Sequence, residues 1–459
     1  MNPEPTLNQK VKKISVDDPS SAKPRDFGNL LDWQQISEWA KEVFLHSVTL
    51  RNLSYLYAIQ IATYILPLLT FPYLARVLQP EGFGKLAVAQ SVAHYLYLVL
   101  EFGFPLSATR EVAMVRDQTH ALRDILKGVW GARLILIAPV SFAAYLVWVF
   151  FPSLQGEDEL VLGAFLYALG LVLSPIWFFQ GLEKMALVAG LEFFIRLFAT
   201  GSIFLTVRNP SDVAMPLYLH AGSSFLVGVI GILLVFQHVG FTTPALSGGW
   251  RWLGKGLSLF FFRTVVSLYT GANVLIVSLL LPNAQVALYA GAEKTVKALI
   301  PLWEPFNRLF LPRFSFLLHH NPLSARRLAA KVIFVMLGIG LSTAALLWAL
   351  APWLVKVLFG ESYSEAIPLI RILALVLPLI ALSNFLGIQW MLAQKMDNPF
   401  NVIISLAGIF NVIFAWVLIP RFGLIGMAWS VLLAEAWVTL AITGYLWWTR
   451  HLPRRSYEV

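Results

Sequence analysis

The chain has 459 residues, 58% hydrophobic and 13% charged, with a mean hydropathy of +0.71. A soluble protein carries about 25% charged residues, so these figures exclude a soluble globular protein and a disordered chain; an outer-membrane barrel is excluded as well, because its strands alternate polar and apolar residues. The net charge of +9 does not point to nucleic acid, since no stretch is long and polar enough to form a soluble domain with a basic face.

Residues 1–28 are polar, carry Pro3, Pro5, Pro19 and Pro24, and read as a disordered cytoplasmic tail with no apolar core of a signal peptide. Residues 29–50 read as an amphipathic interfacial helix. Leu30, Trp33, Ile36, Trp39, Ala40, Val43 and Phe44 recur at intervals of three and four, with Asp32, Glu38, Lys41 and Glu42 mostly opposite. Such a helix lies on the membrane surface or docks against the membrane body.

A membrane-crossing helix needs about 20 apolar residues. Segments of that kind fall at 53–75, 85–108, 128–151, 159–180, 186–207, 214–238, 257–281, 286–311, 329–351, 366–391, 400–419 and 424–448. The expected organisation is an N-lobe at 51–238 (spans 1–6), an interlobe cytoplasmic loop at 239–256, a C-lobe at 257–450 (spans 7–12) and a cytoplasmic tail at 451–459. With the N-terminus inside, cytoplasmic segments hold twenty-two Lys and Arg residues. The outer segments hold five: Arg76, Lys85, Arg208, Lys356 and Arg421. This bias is the positive-inside rule, and it supports twelve crossings with both ends cytoplasmic.

There is no cysteine, and the closest approach to a metal motif is His319-His320, whose side chains do not face together on a helix. No catalytic constellation, metal set or cofactor motif emerges.

Seven basic residues fall inside the spans: Arg133, Arg196, Arg263, Lys294, Lys297, Arg308 and Arg371. A charge at bilayer depth costs at least ~2.5–3.5 kcal/mol. Arg133 and Arg371 lie near span ends and read as snorkelling. Arg196 is too deep for that; its local partner is Glu192, four residues earlier. Arg263 permits either reading.

Span 8 is the most informative segment. At 100° per residue, Glu293, Lys297, Glu304 and Arg308 share one stripe, flanked by Lys294. That stripe lines a water-filled cavity, or it pairs internally as Glu293–Lys297 and Glu304–Arg308. The cavity reading makes Arg263, Lys294, Lys297 and Arg308 a cationic lining. Glu293, Glu304 and Glu101 become ion-coupling candidates. Asn52, Gln60, His94, Arg196 and Asn273 are secondary lining candidates.

Two short matches suggest an internal repeat. Val77-Leu78-Gln79-Pro80 resembles Leu279-Leu280-Leu281-Pro282, and the segment around Lys184-Met185 resembles Lys395-Met396. Matched points at similar offsets suggest two six-helix halves related by an axis along the membrane normal. The expected fold is therefore an all-α integral membrane protein, with twelve transmembrane helices in two pseudo-symmetric six-helix lobes around a central cavity.

Five stretches resemble a known family. The strongest is Pro67-Leu-Leu-Thr-Phe-Pro-Tyr-Leu-Ala-Arg76-Val-Leu-Gln-Pro-Glu81-Gly82-Phe83-Gly84. The others are Phe102-Gly-Phe-Pro-Leu-Ser-Ala-Thr-Arg110-Glu111, Trp177-Phe-Phe-Gln-Gly181-Leu-Glu-Lys184-Met185, Leu268-Tyr-Thr-Gly-Ala-Asn273 and Leu288-Tyr-Ala-Gly-Ala-Glu293-Lys294. Together they resemble the bacterial polysaccharide (lipid-linked oligosaccharide) flippases of the Wzx type, within the multidrug/oligosaccharidyl-lipid/polysaccharide exporter superfamily. Gln79 stands where a Gly is commoner, and the extension to about residue 50 is longer than the family pattern.

The resemblance implies a flippase in the cytoplasmic membrane that moves an undecaprenyl-pyrophosphate-linked repeat unit outward. It also implies alternating access, H⁺ or Na⁺ antiport, contact with membrane lipid, and polysaccharide polymerase or assembly partners. Two other readings stand beside it. A multidrug exporter shares the fold, but its cationic substrates favour carboxylates over a basic stripe. A membrane-embedded sugar polymerase generally needs a large outer catalytic loop, and the longest here, at about 352–365, has no nucleophile constellation. The chain has no G-x-x-x-x-G-K-[ST] motif, so it carries no P-loop ATPase of its own.

Overall fold

The computed structural model of the chain describes Leu66 and residues 69–453, without the side chains of 302–309. The tail at 1–28, the helix at 29–50, Asn52, Gln60 and most of the first span lie outside the described residues, as do the side chains of Glu304 and Arg308.

The described residues are helical almost throughout. After a helical stretch at 69–77 come α1 (Gln79–Glu101), α2 (Phe104–Met114), α3 (Thr119–Phe150), α4 (Asp158–Leu173), α5 (Ile176–Gly181), α6 (Met185–Thr206) and α7 (Met215–Val239). The second half holds α8 (Leu246–Gly271), α9 (Asn273–Leu280), α10 (Asn283–Lys297), α11 (Glu304–His320), α12 (Pro322–Leu358), α13 (Ala366–Ala374), α14 (Val376–Asn384) and α15 (Asp397–Trp448).

Among the described residues, eight helical segments are long and apolar enough to cross a membrane, or nine with the bent pair α8–α9. α15 has 52 residues, which is about 78 Å of helix against a ~30 Å hydrocarbon core. Gly423 breaks it at φ 57° and ψ −137°, next to the short join expected at 420–423. Burial is inverted relative to a soluble protein. Phe198, Phe334 and Leu440 are 79%, 80% and 70% exposed, while Glu101, Glu293, Glu435, Asn273 and Asn411 are buried. This is a multi-pass membrane protein.

Breaks within the crossing segments have local causes. Pro175 separates α4 from α5, because it can neither donate to the helix ladder nor clear the preceding turn. The α8–α9 pair bends by 61° at Ala272. The charged segment read as span 8 is not one continuous helix. It runs as α10 to Lys297, tightens into a 3-10 turn at Ile300–Trp303 and resumes as α11. The helix on which Glu293 and Arg308 would share one register is therefore interrupted between them. Residues 246–256, within the segment read as an interlobe loop, are helical and pack on α3, where the Trp252 indole lies against Gly128.

Segments assigned to one side of the membrane meet at one end of the molecule. At the end read as outer, Lys85 pairs with Glu157 at 2.7 Å and Ser153 Oγ donates to the Ser278 carbonyl at 2.7 Å. There too Tyr363 donates to the Ala75 carbonyl at 3.2 Å, and Arg76 donates to the Val357 carbonyl. At the opposite end, Lys255 pairs with Glu111 at 2.9 Å and Arg116 with Glu183 at 3.3 Å.

The suspected repeat has structural counterparts. Glu183 and Lys395 both adopt left-handed backbone, at φ 58° and 60°. The next amide in each case reaches back five residues, Lys184 to Phe179 at 2.9 Å and Met396 to Met391 at 3.0 Å. This is the same helix-ending turn, one residue out of step with the sequence match. Glu81 and Asn283, 202 residues apart and equivalent by the first match, touch each other at 3.2 Å.

α1 packs closely on α10 across the two halves of the chain. A Cβ on Gly84 would sit 1.9 Å from the Asn283 carbonyl oxygen, so only glycine lets these backbones meet. Gly84→Val should separate the two helices and lower the thermal midpoint in detergent by several degrees, the equivalent of about 1–3 kcal/mol of overpacking. An unchanged midpoint would show that this contact does not hold the halves together.

Candidate functional site

A cavity of about 310 Å³ lies in the second half of the chain. It is lined by Tyr269 and Thr270 of α8, Asn273 of α9, Glu293 and Lys297 of α10, and Asn411 and Glu435 of α15, with aliphatic walls from α13 and α14. The helix break at Ala272 builds its polar side. The last carbonyls of a helix have no partner within it, and that of Thr270 accepts Lys297 Nζ at 2.5 Å.

Lys297 also forms the predicted i,i+4 ion pair with Glu293, at 2.9 Å. Glu293 is buried and accepts Asn273 Nδ2 at 2.6 Å and the Tyr289 hydroxyl at 3.3 Å. Asn273 Oδ1 in turn accepts Asn411 Nδ2 at 2.8 Å, and Ser430 donates to the Asn411 carbonyl at 2.8 Å. Each buried polar group thus answers another, which is the condition for a polar network to be tolerated in a low-dielectric interior. Glu435 stands on the far wall and accepts the Tyr269 hydroxyl.

A second cluster joins the two halves of the chain. Arg263 of α8 pairs with Glu101 of α1 at 2.6 Å. Tyr97 donates to the other carboxylate oxygen of Glu101 at 2.6 Å. One turn along α8, Ser267 contacts His94 Nε2 at 3.2 Å, and its carbonyl accepts the Tyr95 hydroxyl at 2.9 Å. Arg133 of α3 does not snorkel. It is 8% exposed, and its guanidinium lies over the Trp177 ring at 5.9 Å.

The remaining expected site residues are elsewhere. Lys294 does not line the large cavity. It points to the first half of the chain, 4.5 Å from the Phe71 ring centre, 5.9 Å from that of Phe83, and donates to Gln90 at 3.3 Å. Lys294 and Lys297 lie only about 60° apart around α10, but their long side chains reach different partners, Phe71 and Gln90 for the first and Glu293 and the Thr270 carbonyl for the second. Arg196 pairs with Glu192, as its spacing implies, beside a cavity of about 90 Å³ that Tyr97, Ser174 and Ser223 also line. Arg371 lies over the Trp348 ring at 4.4 Å.

The structure therefore brings Lys297, Glu293 and Asn273 into one cluster and Arg263, Glu101 and His94 into another. Sequence reasoning missed Glu435, Tyr269, Asn411 and Arg133. Glu435 had a signal, a carboxylate in the middle of an apolar segment. Tyr269 lay inside the family-like stretch Leu268-Tyr-Thr-Gly-Ala-Asn273 without standing out in it, and Asn411 had no signal, since a single polar residue in a span is usually interhelical glue. Chemically, both clusters offer cations already held by carboxylates. An anion entering either one would take the cation from its carboxylate, which then needs a second partner or a proton.

A family profile described as polysaccharide biosynthesis protein matches residues 49–317. A protein of Escherichia coli (strain K12), named as an O-antigen transporter, is 30% identical over 392 residues, covering 85% of this chain and 94% of that one. A protein of Shigella dysenteriae with the same name is 26% identical over 396 residues, covering 85% and 98%. Among solved structures, the lipid II flippase MurJ in an inward closed conformation aligns with a TM-score of 0.61 and 14% identity, over 86% of this chain and 87% of that one. An inward-facing multidrug resistance MATE family transporter of the MOP superfamily aligns with a TM-score of 0.62 and 13% identity, over 84% and 94%. These two share the fold. The profile spans more than half of the sequence and the named relatives align over nearly their whole length, so the chain belongs to the polysaccharide biosynthesis protein family, as its motifs imply.

Proposed function

We propose that this transporter flips an undecaprenyl-pyrophosphate-linked oligosaccharide repeat unit from the cytoplasmic to the outer face of the cytoplasmic membrane, for surface polysaccharide synthesis. The single observation that carries the reading is the set of charge pairs inside an apolar chain: Arg263–Glu101 and Lys297–Glu293. Arginine and lysine suit a pyrophosphate. The sugars occupy polar space between the halves, and the prenyl chain stays in lipid.

In this reading the molecule is two six-helix lobes that rock about an axis between α1 and α10. The repeated turns at Glu183 and Lys395 support that symmetry, as does the contact of the equivalent residues Glu81 and Asn283. Both termini are cytoplasmic, so the contacts of Tyr363, Arg76 and Ser153 close the outer end. Outward movement is coupled to entry of H⁺ or Na⁺. Glu293 and Glu101 are coupling candidates, with Glu304 outside the described side chains, and Glu435 joins them because it faces the cavity with a tyrosine hydroxyl as its partner.

Arg263→Ala and Lys297→Ala, made singly, should each lower surface polysaccharide at least about tenfold at matched protein abundance. That factor corresponds to loss of one charge-assisted contact. Drug susceptibility of a deletion strain should not change. Wild-type polysaccharide in both variants would sink the assignment, and altered drug susceptibility with normal polysaccharide would favour a multidrug exporter.

A further inference from the structure

Arg133 is a cation that the scheme above leaves unused. It lies in α3, buried, with its Nε free of any hydrogen-bond partner among the described residues. Its electrostatic neighbours are Tyr97 and Glu101 of α1. α3 packs against α1, so Glu101 lies in the field of two guanidinium groups, one from each half of the chain. It is in contact with that of Arg263, at 2.6 Å. The contact is a charge contact only: the Glu101 oxygen that faces Arg263 accepts no aligned hydrogen bond, whereas the other is held by Tyr97.

Exposure of the partners is unequal. The Arg263 side chain is 33% exposed and that of Glu101 only 7%. An anion entering between the halves meets Arg263 and cannot displace Glu101 from its own helix. Removing one partner of a buried pair leaves an uncompensated charge, which is strongly unfavourable. Arg133 is placed to remove that cost. It belongs to the same half as Glu101, so the carboxylate can be neutralised without any contact to the other half.

We infer that Arg133 is a positioning residue that takes over Glu101 when a pyrophosphate head group takes Arg263, so that substrate binding unfastens an ion pair between the halves. The inference rests on the proposed pyrophosphate-linked substrate. Arg133 touches no substrate in this scheme and acts through Glu101 alone.

The test is calorimetric titration of inorganic pyrophosphate into the purified full-length protein in detergent, with thermal midpoints recorded for every variant. Glu101→Gln removes the competitor for Arg263 and should bind pyrophosphate about tenfold more tightly than wild type. Arg133→Met leaves Glu101 dependent on Arg263 and should bind about tenfold more weakly. Arg133→Lys should bind like wild type. The double variant E101Q/R133M should bind like E101Q, because Arg133 has no role once the carboxylate is gone; it also serves if R133M alone does not fold. Wild-type affinity in R133M, or a double variant as weak as R133M, overturns the relay and leaves the flippase reading standing. No binding to wild type overturns both.

Discussion

A charge at bilayer depth costs at least ~2.5–3.5 kcal/mol unless it is answered, and the interior of this protein is arranged around that cost. Glu293 holds Lys297, Glu192 holds Arg196, and Glu101 holds Arg263. Lys294 is held by aromatic faces, those of Phe71 and Phe83, whose ring quadrupoles attract a cation. Two of these arrangements bind one half of the chain to the other. The groups that make the charges tolerable therefore also fasten the halves together; in the proposed cycle these contacts open.

This gives the family motifs a physical meaning. Gly84 has no side chain because the Asn283 backbone occupies the space. Phe83 sits one residue earlier and packs against Lys294, the last residue of another motif. Glu81 reaches Asn283 at the start of α10. Stretches that are 200 residues apart in sequence thus form one seam.

Much of this was legible in the sequence. Side-by-side counting of Lys and Arg predicted which loops share an end, and contacts such as Lys85–Glu157 and Lys255–Glu111 join segments assigned to one side. The pairs Glu293–Lys297 and Glu192–Arg196 follow from helical spacing alone. What was not legible depended on helix breaks and tertiary partners. The turn at 298–303 interrupts a helix that periodicity assumes to be continuous. Arg133 sits near a predicted span end, where snorkelling is the cheaper option, and only the position of α3 beside α1 encloses it. The partnership of Asn273 with Asn411 joins residues 138 apart, and nothing local announces it.

The central claim is that the contact between α1 and α10 at the outer end must open during transport. The absence of native cysteine makes this directly testable. Glu81→Cys and Asn283→Cys would be combined in one chain, reconstituted in liposomes, and joined by a short bis-thiosulfonate cross-linker, while translocation of an undecaprenyl-pyrophosphate-linked oligosaccharide is followed. The account predicts that transport stops on cross-linking and resumes when the link is reduced. Transport that continues unchanged through the cross-linked protein would contradict it.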